Sequence, residues 1–216
     1  MLSILLTCLA VAAQTPSCSG RDWLNCRAKN DAYQAANIEG VIRHGKTLVV
    51  GSVGQAAVYT DRYFANDEVY NYKNYLRGRL QKSGPGSRWL VIDTPLWDGQ
   101  HIDLANLDTG AKVTVEGGFL FAPNRKRFST VSADGGTGYF PNQVEIYSLG
   151  SEIKSEYRME YDGDNVQPVD GVWLGDDVFS YFQQVGYDAS CRKKQILLRL
   201  QSGNWNVEEK AAVPCN

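Results

Sequence analysis

The chain carries no block of like charge, no Cys-x-x-Cys pair, no Gly-x-Ser-x-Gly motif, and only two histidines and two methionines among its 216 residues. A formal net charge of -2 is not the basic footprint that nucleic acid or an anionic membrane surface requires. His44 and His101 stand far in sequence from every cysteine, so the ligand spacing of a zinc site is missing. Without the nucleophile-elbow motif, the chain lacks the sequence signature of an α/β-hydrolase. The apolar run at residues 1–13 is too short to span a bilayer.

What is present points to β structure. Twenty-one glycines and 12 tyrosines suit a turn-rich β fold more than a helical bundle. The length suits one good-sized domain. Residues 1–13, MLSILLTCLAVAA, are uncharged and end in small residues, as a secretory signal does before its cleavage point. We read a signal peptide over 1–13, cleaved near Ala13, and hence a periplasmic or secreted protein. Leu5-Leu6-Thr7-Cys8 offers the rival reading of a lipoprotein signal. Removing 1–13 removes Cys8 and leaves Cys18, Cys26, Cys191 and Cys215. An even count in an exported chain implies disulfide bonds. Pairing Cys18 with Cys26 and Cys191 with Cys215 closes two local loops; the alternative pairing ties the termini together.

Residues 14–38 read as an N-terminal arm. Its stretch 22–36 can form a helix or two turns, docked by Trp23 and Leu24. Residues 39–216 read as a single β domain with blade-like repeats. The clearest unit is 119–160. It holds an apolar run at 119–121, a polar turn at 123–126, a second run at 128–131 and a loop at 134–142. Val144 and Ile146 then alternate with Glu145 and Tyr147, which is strand periodicity, and a fourth run passes through Tyr157 and Met159. Similar strand–turn–strand patterns recur at 41–50, 89–115 and 172–208, with 68–75 as a third strand of the first unit. Spacings of roughly 40–50 residues fall in the range of propeller blades. The expectation is an all-β fold of about four antiparallel β-meander repeats, propeller-like, with a β-sandwich as the alternative.

The run Phe121-Ala122-Pro123-Asn124-Arg125-Lys126-Arg127-Phe128, followed by Val144-Glu145-Ile146-Tyr147-Ser148-Leu149, resembles a blade of a WD-repeat-type or related β-propeller. The turn Leu107-Asp108-Thr109-Gly110 is similar to blade turns of that class. No Trp-Asp dipeptide ends a strand in the expected way, since Trp97-Asp98 precedes Gly99 in a loop. In outline, an exported and disulfide-bearing chain of this kind resembles bacterial periplasmic proteins that neutralise lysozyme-like enzymes: immunity proteins and lysozyme inhibitors. Such inhibitors place a Ser-Gly-x-x-Tyr loop in the enzyme's cleft. Ser83-Gly84-Pro85-Gly86 and Ser202-Gly203-Asn204-Trp205 begin alike and lack the Tyr.

Four sets of residues are candidates for chemistry. Asp162 and Asp164, with Asp170 and Asp176-Asp177 beyond, could offer hard oxygen ligands to calcium, although Asp and Gly are also ordinary turn residues. The tyrosines Tyr59, Tyr63, Tyr70 and Tyr72, interleaved with polar residues, have the composition of a partner-binding surface; alternation would instead bury half of them. Ser83 and Arg88 bound a Ser/Gly/Pro segment that reads as a projecting loop or as a linker. His44, His101 and acid pairs such as Asp134 with Glu145 are the catalytic candidates, beside the plain reading that scattered histidines and carboxylates are structural. The reading that joins these is non-catalytic binding of a protein partner, a lytic enzyme, by an inhibitor or immunity protein. The alternatives are an enzyme acting on a cell-envelope glycan and a structural envelope component.

Overall fold

Turns cut the chain into short runs of β-branched and aromatic residues, and those runs become strands. A computed structural model describes residues 23–52, 54–62, 73–80, 88–95, 100–134, 140–162, 165–187 and 190–215; the side chains of 23–25 and 100 are outside that description. Within it, helix α1 (Trp23–Asn37) precedes four antiparallel sheets. The first holds β1 (Val41–His44), β2 (Thr47–Val50) and β3 (Ala57–Thr60). The second holds β4 (Tyr75–Arg79), β5 (Trp89–Pro95), β6 (Gln100–Asn106) and β7 (Lys112–Val115). The third is β8 (Gly118–Phe121), β9 (Arg127–Ser132), β10 (Asn142–Leu149) and β11 (Ile153–Tyr161). The last is β12 (Val166–Gly175), β13 (Val178–Val185), β14 (Arg192–Gln201) and β15 (Asn204–Glu209), with β16 (Val213–Pro214) pairing β14 beyond the end of β15. Apart from β16, the strands of every sheet lie side by side in chain order, so each sheet is a meander. No helix among the described residues is long and apolar enough to cross a membrane.

The all-β expectation and the four-meander division hold, with one repartition. The first sheet has β3 as its third strand, whereas 68–75 was expected there. Tyr75 belongs to β4, which opens the second sheet by pairing with β5. Residues 68–72 lie outside the described residues, as does the side-chain docking expected of Trp23 and Leu24.

Consecutive sheets pack face to face. Leu90 and Ile92 point from β5 to the first sheet, into a cluster with Leu48, Val50 and Leu76. Trp89 and Val91, on the opposite face of the same strand, meet Phe128 and Tyr147 of the third sheet. In β10, Val144 and Ile146 face the last sheet and join Phe179, Tyr181, Ile196 and Leu198. Strand alternation thus feeds two cores from one strand, which is why β5 and β10 are buried almost throughout. Among the described residues each of the three clusters joins neighbouring sheets, and none joins the first to the last. The stack is blade-like in its order and is not seen to close into a ring; face-to-face sheets also fit the sandwich alternative.

Polar side chains stitch the seams. Asp31 of α1 accepts a hydrogen bond from the Leu76 amide at 2.8 Å, and the Asn30 amide donates to the Arg77 carbonyl at 3.1 Å, so the helix satisfies the free edge of β4. Arg43 of β1 reaches Asp31 at 3.1 Å and Asp61 at 3.4 Å, and donates to the Asn74 carbonyl. Asp61 also accepts from the Asn74 amide at 2.9 Å. At the second seam Trp89 Nε1 donates to the Gly150 carbonyl at 3.0 Å. At the third, Trp173 Nε1 donates to the Leu120 carbonyl at 2.8 Å, and Arg127 bridges Glu156 at 2.6 Å and Asp177 at 3.0 Å. The Cys191–Cys215 disulfide forms as expected, with the two Cα atoms 5.4 Å apart. Cys26 is also disulfide-bonded; its expected partner Cys18 lies outside the described residues.

Replacing Arg43 by Met leaves Asp31 and Asp61 buried without their cation and should cost about 3–5 kcal/mol in a denaturant titration. A loss below about 1 kcal/mol would mean that the two carboxylates find other partners. Gly171 lies where β12 crosses the third sheet: a Cβ there would sit 2.7 Å from Val131 Cγ2 and 2.8 Å from Phe179 Cζ. Gly171→Ala should therefore destabilise by about 1–3 kcal/mol through overpacking.

Candidate functional site

The residues expected to form a site are dispersed by the fold. Tyr59 is 6% exposed and packs in the first core. It offers no face to a partner, which corrects its assignment as a contact residue. Burial, with the Asp103 carboxylate nearby, pushes its phenol well above the ordinary tyrosine range, and Lys112 Nζ stands 4.1 Å from its ring centre. Tyr63, Tyr70, Tyr72 and Ser83 lie outside the described residues. Arg88 is exposed, but Asp108 in the β6–β7 turn holds its guanidinium, with Nε 2.8 Å from the carboxylate. That contact raises the Arg88 pKa and lowers that of Asp108.

The acidic candidates are dispersed too. Asp164 lies outside the described residues, and Asp162 is exposed after β11. Asp170 occupies a left-handed conformation, φ 54°, at the register shift between Val169 and Val172. Asp tolerates that conformation better than most residues, so Asp170 serves a β-bulge. Asp176 accepts from the Asn124 amide at 2.8 Å, and Asp177 pairs with Arg127. Among the described residues no group of three His, Cys, Asp or Glu side chains gathers as metal ligands would.

Of the catalytic candidates, Asp134, Glu145 and His101 make contacts within the fold. Asp134 accepts from the Phe140 amide at 2.9 Å. Glu145 is buried on the β10 face that looks toward the second sheet. It accepts from the Tyr147 hydroxyl, from Gln143 Nε2 at 3.5 Å and from Ser155 Oγ at 3.4 Å. Burial and that carboxylate push the Tyr147 phenol far up. His101 Nδ1 lies 3.8 Å from Glu116, with its ring edge-on to Phe140. His44 is exposed at the end of β1.

The feature left for recognition is the outer face of the last sheet. Trp173 turns inward to the third core, so its neighbours Val172 and Leu174 must turn outward. They are 48% and 59% exposed. Val178 and Phe182, half-buried, share that outer side of β13, opposite to Phe179 and Tyr181. Of ten large apolar side chains exposed among the described residues, six belong to this sheet and its turns: Val172, Leu174, Val185, Tyr187, Val207 and Val213. Val172 and Leu174 share the outer face, whereas Val185 and Val207 lie on the side of Phe179 and Leu198. A sequence signal exists, because Val172-Trp173-Leu174 is apolar on both faces of a strand.

One buried carboxylate, in the second sheet, gives a pH test of the scaffold. Asp93 lies 3.7 Å from Arg77 and 3.9 Å from Arg27, yet its pKa is raised because burial outweighs both cations. A raised folded-state pKa favours folding fully below the ordinary carboxylate range, and that contribution is lost as pH rises through the raised value. The melting temperature of the wild type minus that of Asp93→Asn should therefore grow on acidification from about pH 7 toward about pH 4. A shrinking difference would show that the arginines outweigh burial. Comparison with models of known protein families, with curated proteins and with solved structures gave no match to this chain.

Proposed function

We propose that this chain is an exported, non-catalytic binding protein that occludes a cell-wall-degrading, lysozyme-like enzyme, as an inhibitor or immunity protein does. The observation that carries the proposal is the outward apolar pair Val172 and Leu174 on a sheet already braced by its own core. Burying apolar area on a rigid support favours association, because little conformational freedom is lost when the partner docks. The support here is firm. β12, β13 and β14 form a continuous ladder, Trp173 is hydrogen-bonded to the third sheet, and the disulfide closes the far end. A disulfide between Cys191 and Cys215 also suits an oxidising compartment, in keeping with export. The lytic identity of the partner rests on the resemblance described for the sequence.

The test is capture from periplasmic and secreted fractions with the mature chain as bait. A stoichiometric lytic enzyme, inhibited on binding, is the expected result. Leu174→Ser with Val172→Ser should weaken that complex at least about tenfold, or about 1.4 kcal/mol, with the melting temperature nearly unchanged. An unaltered affinity would remove the outer face from the interface. Turnover of a glycan by the chain alone would overturn the proposal.

A further inference from the structure

At the end of the last sheet, β13 and β14 run on past the third core. Val185 and Arg192 are cross-strand partners there, and Val166 and Pro214 continue the same row on either side. The Gly186 amide donates to the Asn165 carbonyl at 2.9 Å, which draws the β11–β12 and β13–β14 turns together. Between them lies a depression of about 630 Å³ lined by Asn165, Val185, Gly186, Tyr187, Ser190 and Arg192. That volume is in the range of small-ligand pockets, about 300–1,000 Å³, and the lining has their usual make-up of apolar walls with a few placed polar groups.

Arg192 is the cation of this lining. Carboxylates hold Arg27, Arg43, Arg77, Arg88, Arg127, Arg158 and Arg199. Among the described residues no carboxylate pairs with Arg192. The neighbouring cations are committed elsewhere: Lys194 to Glu209 at 2.8 Å, and Lys193 to the Phe182 ring at 5.2 Å. The backbone of Arg192 is fixed on both sides, by Val185 in β13 and by Pro214 in β16, and the adjacent Cys191 is bonded to Cys215. An arginine so placed presents a planar fork of donors that matches a carboxylate. Among the described lining residues Arg192 is the one cation, which suits a carboxylate better than a dianionic phosphate. Val185 and the half-exposed Tyr187 ring supply apolar wall beside it.

We infer that this depression binds a carboxylate carried on an apolar group, such as the C-terminal residue of a peptide. Arg192 takes the carboxylate, and Val185 with Tyr187 take the apolar part. The site is distinct from the Val172–Leu174 pair and does not depend on the proposed inhibitor role.

The experiment is a titration followed by calorimetry, using the peptide acetyl-Ala-Ala-Leu as free acid, the same peptide amidated, and N-acetyl-leucine. The free acid should bind, and the amide should bind at least about tenfold more weakly. Arg192→Gln should lose about tenfold as well, whereas Arg79→Gln, an exposed arginine of β4, should bind as the wild type does. Binding of N-acetyl-leucine as tight as that of the peptide supports the site and makes a free small acid its ligand. Weaker binding of N-acetyl-leucine makes it a peptide terminus. Equal binding of acid and amide by the wild type overturns the inference. So does an unaffected Arg192→Gln variant, or no heat from any probe at roughly 10 mM. The acid-against-amide comparison needs no variant, so it decides the matter even if Arg192→Gln folds poorly.

Discussion

β5 and β10, one in each middle sheet, answer to two cores at once, and the rest of the structure follows from that. A side-chain period of two sends neighbouring residues to opposite faces. When both faces are covered, Leu90 and Trp89, or Ile146 and Tyr147, must each fit a different partner sheet. A slip of one residue would exchange the two sets and spoil both cores together. Register is therefore held more tightly in the middle of the stack than at either end, where one face has no neighbouring sheet among the described residues.

Apolar packing alone does not say how far along its neighbour a sheet should sit. The directional contacts at the seams do. Trp89 and Trp173 each bury a ring and use the indole N–H to reach a single carbonyl of the next sheet. Arg43 does the same work for the helix and the first two sheets, gathering Asp31, Asp61 and the Asn74 carbonyl around one guanidinium. Such buried polar groups are costly unless every partner is present, so they oppose alternative arrangements of the same strands. Near neutral net charge and a largely self-paired set of arginines are two sides of this economy.

The parts of the fold that depend on neighbours in sequence were legible. The unit at 119–160, the turn at 108–110 and the last repeat have strands close to those read from alternation, because a hairpin's pattern is local. The local Cys191–Cys215 pairing was legible for the same reason. The division between the first two sheets was not. Ala57-Val58-Tyr59-Thr60 follows a Gly-rich stretch and resembles loop, and only its pairing with β2 makes it a strand. That pairing also buries Tyr59, whose interleaving with polar residues had suggested a surface. Asp170 was ambiguous in sequence because a bulge and a metal loop ask for the same residue type. The Arg192 depression had no linear signature, since its lining comes from two turns joined by the bond between Gly186 and Asn165.

A stack whose sheets touch only their neighbours has stability that adds from one interface to the next, and it opens most readily from its ends. The last sheet is such an end, and it also carries the chain's final strand, a two-residue piece with only two ladder partners. The Cys191–Cys215 bond lies there. Its consequence is kinetic as much as energetic: the covalent link keeps that short strand from peeling away and exposing the edge of β14 to proteases. Resistance to being unzipped at β16 thus sets how long the last sheet holds.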